Sequence, residues 1–101
     1  MYERCPASLK MTRLILQDGY YDENTYDCQV ITYNSEKESI YLLAGENELP
    51  VFSLDGLYEC VMVTEQEEVK CIGVIKERYK NKMGGVIEFY IQNGFYKNPV
   101  N

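Results

Sequence analysis

Half of the ten basic residues of this chain, Lys70, Lys76, Arg78, Lys80 and Lys82, lie between positions 70 and 82, where Glu77 is the single acid. On a strand, side chains alternate between faces, which predicts Lys76, Arg78 and Lys80 on one face and Glu77 and Tyr79 on the other. A row of cations beside tyrosines is a surface that small β-barrels use for single-stranded nucleic acid or phosphorylated ligands. Lysines at a strand end also keep a sheet edge from pairing with other chains. Lys76, Arg78, Tyr79, Lys80 and Lys82 are therefore the candidate contact residues for a partner or an anion.

Other chemistry is sparse. Histidine is absent, which removes the commonest general base and the usual partner of a serine or cysteine nucleophile. The carboxylates considered, Asp22, Glu23, Glu36, Glu38, Glu65 and Glu67, fall in expected turns, where a solvated surface is the default. Glu46 and Glu48 form an acidic pair, but a chain this short has little mass to build a cleft around them. Asp18-Gly19, Asp55-Gly56 and Gly84-Gly85 belong to no phosphate-cradling glycine pattern. Asp22-Glu23-Asn24 lacks the alternating spacing and distal glutamate of a calcium loop. Cys5, Cys28, Cys60 and Cys71 contain no C-x-x-C pair, and no histidine is present to complete a zinc site. Cys28, Cys60 and Cys71 each lie in an apolar β-type run and read as reduced core thiols, which fits a reducing cytoplasm. No catalytic residue, metal or cofactor is expected.

The frame that positions these residues reads as one domain of 101 residues, with residues 1–10 and 97–101 as frayed ends. The 46% apolar content suffices for one core, and the net charge of −6 argues against nonspecific nucleic-acid binding by the chain as a whole. Apolar runs such as Leu14-Ile15-Leu16 and Ile40 to Ala44 fall far short of the ~20 residues of a membrane helix. Met1 to Lys10 has no apolar leader region, so a cytoplasmic location is expected.

Strand signals recur at 11–17, 26–33, 39–43, 57–64, 68–79 and 86–92. Polar turns separate them, except for a longer connection from Gly45 to Gly56 that contains Pro50 and a short extended piece at Val51-Phe52. Gly73 suggests a bulge or bend, and Gly84-Gly85 a hairpin turn. No segment carries a sustained helical stripe. Glu46 to Leu49 and Pro6 to Leu9 are at most single turns. Asn93-Gly94 and Pro99 are expected to end regular structure, leaving Phe95-Tyr96 as an exposed aromatic pair. The fold expected is all-β, a small antiparallel barrel of six strands, with most of the ten tyrosines half-buried.

From Tyr26 to Tyr96 the order of features resembles the PilZ-like split barrel found at the N-terminus of flagellar-brake-type cyclic-di-GMP effectors. A hairpin with a polar turn (Gln29 to Leu43) precedes a proline-containing loop. Asp55-Gly56, a strand (Leu57 to Val63), an acidic turn, a strand with central glycine (Val69 to Arg78) and a last strand (Val86 to Ile91) follow. The resemblance implies a regulatory or interaction module. It does not extend to cyclic-di-GMP binding. The R-x-x-x-R and [DN]-x-S-x-x-G motifs of that ligand site are absent, and Arg4, Arg13 and Arg78 are the only arginines.

The expected function is thus a non-catalytic regulatory or adaptor module that binds a protein partner. A homodimer through an edge strand or the tyrosine-rich face is one form of this. Binding of single-stranded nucleic acid or an anionic ligand through residues 76–82 is the alternative.

Overall fold

The computed structural model describes residues 2–14, 23, 25–44 and 56–99. Six strands make up the regular structure: β1 (Pro6–Leu14), β2 (Thr25–Asn34), β3 (Ser39–Ala44), β4 (Gly56–Val63), β5 (Glu67–Asn81) and β6 (Gly84–Pro99). They close into an all-antiparallel barrel in the order β1-β2-β3-β6-β5-β4, with β4 returning to pair with β1. Two three-stranded meanders, β1β2β3 and β4β5β6, are thereby joined along two seams. The long connection between β3 and β4 has a topological reason: β4 pairs with β1 and β5, not with β3. No helix among the described residues is long and apolar enough to cross a membrane.

Alternation builds the core. β4 and the first part of β5 bury every second residue, bringing Tyr58, Cys60, Met62, Val69, Cys71 and Ile75 inside with Leu9, Met11, Ile40, Leu42, Ile87 and Phe89 from the other strands. Cys60 lies directly across from Cys71, both fully buried, and Cys28 is buried nearby in β2. The core placement expected for these three free thiols is what the fold displays.

Bulges close so small a sheet, because an extra residue on one strand increases its coil. Thr12 is the extra residue in β1 and Ile31 in β2. The β2 bulge reverses which side chains point inward, so Tyr33, opposite the buried Ile40, turns toward the core. At Gly73 the bend expected from the sequence is a close approach of strands. The register against β6 shifts beside it, and a Cβ there would run into the Tyr90 carbonyl.

Within both stretches expected to fray, 1–10 and 97–101, described residues belong to strands. Residues 6–10 form the first half of β1, so Pro6 to Leu9 is strand and not a helical turn. Ahead of it the backbone is stitched to β2: Arg4 N–H donates to the Val30 carbonyl at 2.8 Å, and Val30 N–H to that of Cys5 at 2.9 Å. Asn93-Gly94 does not end β6, which pairs with β5 as far as Pro99↔Glu67. Two register shifts absorb the extra β6 residues, so the ladder survives the Asn-Gly step. Phe95 is consequently not an exposed aromatic. It packs against the core, edge-on to Tyr33 at 5.1 Å between ring centres and tilted to Tyr2 at 5.7 Å. Residues 15–17 of the first expected strand, the turn at Glu46 to Leu49 and the piece at Val51-Phe52 lie outside the described residues.

Candidate interaction surface

β4 accompanies β5 only as far as Leu57↔Val74. Beyond that point residues 75–81 continue with β6 as their one partner among the described strands; β6 pairs in turn with β3 as far as Val86↔Leu43, so this β5–β6 arm is two-stranded only at its tip, residues 80–85. Asn81 sets the turn at its tip: its Oδ1 accepts from Met83 N–H at 2.8 Å, and Gly84 takes φ +122°, a backbone conformation that L side chains rarely adopt.

All five sequence candidates, Lys76, Arg78, Tyr79, Lys80 and Lys82, lie on this arm and are exposed. Their distribution over its faces differs from simple alternation. An extra residue sits in β5 between Ile75, opposite Phe89, and Glu77, opposite Glu88. That residue is Lys76, whose Nζ reaches Glu88 Oε2 at 3.9 Å on the outer face, where Glu77 and Tyr79 also project. Arg78 and Lys80 pair with Ile87 and Gly85 and fall on the opposite side, the side of the core residue Ile87. The bulge thus separates Lys76 from Arg78 and Lys80, and the cations flank the arm on two sides instead of forming one row.

The exposed apolar groups gather near it. Met83 at 55% and Tyr79 at 40% are two of the four most exposed large hydrophobic residues described, and Tyr90, on the same outer face as Tyr79, is a third. An open groove of about 490 Å³ runs beside Lys76, Glu77, Arg78 and Tyr79. On the other side a cleft of about 580 Å³ separates β2, at Asp27 and Gln29, from Lys80 and Met83.

Glu88 anchors the arm to the rest of the sheet, and the sequence reading missed it. It is not in a turn. It sits in mid-β6, only 8% exposed, and accepts from Ser39 Oγ at 3.3 Å and Tyr41 Oη at 3.4 Å. Tyr41, Glu88 and Glu77 face one another across β3, β6 and β5. Burial, and then the Glu88 charge beside it, push the Tyr41 phenol above its ordinary value. The signal available was an acid in the alternating run Val86-Ile87-Glu88-Phe89-Tyr90, where an outward residue flanked by apolar neighbours needs partners. Glu88→Ala removes the acceptor shared by two hydroxyls and should lower stability by about 1–3 kcal/mol, whereas Glu88→Gln keeps an acceptor and should cost less than half as much. Urea melts of the two variants compare these values. Equal losses would mean that the charge, not the acceptor, holds the arm.

No protein-family model, curated protein or solved structure matches the chain.

Proposed function

We propose that this protein is a non-catalytic regulatory or adaptor barrel that binds an acidic protein partner through the β5–β6 arm. The observation that carries the reading is the arm itself. In an acidic chain, the densest basic segment runs along β5 beyond its pairing with β4 to the hairpin tip and presents Tyr79 and Met83 between its cations. Exposed aromatic and methionine side chains with a basic rim are the composition of a protein-binding patch, and basic charge steers an acidic partner toward it. The likeness of Tyr26 to Tyr96 to the PilZ-like barrels of flagellar-brake effectors supports the same class of function, with a partner chain supplying any ligand-reading part. A cytoplasmic setting accords with the reduced thiols.

The test is affinity capture from source-cell lysate with two baits, the natural chain and the Lys76→Glu/Lys80→Glu/Lys82→Glu variant. A partner held by the first should bind the variant at least about tenfold more weakly once purified. Identical capture by both baits would remove the arm from the proposal. The alternative, single-stranded nucleic acid on the same cations, predicts salt-sensitive anisotropy with short oligonucleotides.

A further inference from the structure

We infer that Asn93-Gly94 is a site of spontaneous backbone modification, where Asn93 closes to a succinimide and reopens as aspartate or isoaspartate. The site belongs to the aromatic end of the barrel, where Phe95 packs against Tyr33, and is independent of the function proposed above.

The reaction asks three things of an asparagine: a side chain free to fold back on its own backbone, an unshielded nitrogen on the next residue, and a chain loose enough for that nitrogen to turn toward Cγ. Asn93 meets all three. The Oδ1 atoms of Asn34 and Asn81 are held by backbone N–H groups, from Lys37 at 3.1 Å and from Met83 at 2.8 Å. Asn93 is exposed, and no such bond engages its side chain among the described residues. Serine and lysine follow those two asparagines, whereas glycine follows Asn93. Even the Cβ direction of Gly94 is open, with nothing within 4 Å. A hollow of about 110 Å³ between Tyr33, Glu38, Gln92 and Phe95 adjoins it, enough room for water to reach the ring.

The ladder is also broken on both sides of Asn93. Asn93 pairs with Ile72, but Gln92 is an extra residue before it, and Gly94 and Phe95 together stand against Cys71 alone after it. Bulged residues are released from the regular pairing that fixes a strand's backbone.

In the first step the Gly94 nitrogen bonds to Asn93 Cγ and gives up its proton, and the side-chain nitrogen leaves as ammonia. Water then opens the ring at Cγ to give aspartate, or at the backbone carbonyl carbon of residue 93 to give isoaspartate. One water is consumed and one ammonia released, with no redox change. Isoaspartate lengthens the backbone of β6 by one carbon, where register shifts already absorb extra residues. Either product places a new carboxylate two positions from Phe95.

The full chain, incubated near neutral pH in heavy-oxygen water, is followed by peptide mass spectrometry with site-resolving fragmentation. Label should enter residue 93 at least about tenfold faster than residues 34 and 81. Gly94→Ala, checked by an unaltered urea melt, should slow this entry by about tenfold or more. The synthetic segment 83–97 supplies the unconstrained rate, and the folded chain should react within about a hundredfold of it. Reaction through global unfolding alone would be slower than the peptide by more than about a thousandfold. A folded-chain rate below that hundredfold limit would overturn the proposal, as would equal labelling at positions 34, 81 and 93. An unchanged rate in Gly94→Ala would also overturn it, because the attacking nitrogen would then not be that of residue 94.

Discussion

Gly73→Val is expected to cost about 3 kcal/mol or more, a large part of the 5–15 kcal/mol that holds a domain together. Most glycines in strands are weak points that a side chain would improve. At Gly73 the geometry reverses this. Its Cβ direction leads into the Tyr90 carbonyl and then to the Ile91 Cα, both backbone atoms that no rotamer change can clear. A side chain there forces β5 and β6 apart beside the register shifts that let the longest ladder of the barrel bend. The same clash makes even Gly73→Ala destabilising, by a smaller amount. Gly94 is the internal control, since a Cβ there meets nothing within 4 Å and Gly94→Ala should leave the urea midpoint nearly unchanged. A Gly73→Val protein that unfolds at the same urea concentration as the natural chain would contradict the close approach.

Alkaline pH should destabilise the fold through Cys28. Burial, reinforced by the Asp27 charge, pushes this thiol from 9.0 up to about 12. In the unfolded chain the thiol ionises from pH 9 upward, while the folded chain holds its proton until about 12. Above pH 9 the unfolded state therefore binds fewer protons, and stability falls as pH rises through this window. Below pH 9 both states are protonated and the contribution is fully present. Three pH units correspond to about 4 kcal/mol if the window is crossed completely. Cys60, raised by its contact with Cys71 and by burial, acts in the same direction. Urea unfolding at pH 8 and at pH 10.5 should show a marked loss at the higher value, and Cys28→Ala should flatten that slope. An unchanged slope in Cys28→Ala would mean that other groups, such as the tyrosines, carry the alkaline transition.

Much of the barrel was legible because its central strands bury one face. The alternations in 26–33, 57–64 and 68–79 place β2, β4 and β5 within two residues of their bounds. β1 begins earlier than expected because Pro6, Ala7 and Ser8 look like turn residues, and what draws them into strand is pairing with β2 and β4, which is nonlocal. β6 outlasts Asn93-Gly94 for the same reason: β5 supplies the partner. The composition of the arm was legible, since a cluster of lysines needs no structure to be noticed. Its facing was not. One bulge residue at Lys76 inverts the alternation, and nothing in Ile75-Lys76-Glu77 marks which residue will be extra. Glu88 escaped because its partners Ser39 and Tyr41 lie almost fifty positions away in sequence.

Hydrogen exchange on the free chain and on its complex with the captured partner tests the role of the arm most directly. Amides between Ile75 and Met83 should exchange more slowly in the complex, with little change at the opposite end of the barrel, where Tyr2, Tyr33 and Phe95 pack together. Protection confined to that aromatic end, with the arm exchanging as in the free protein, would place the partner elsewhere and contradict the proposed docking surface.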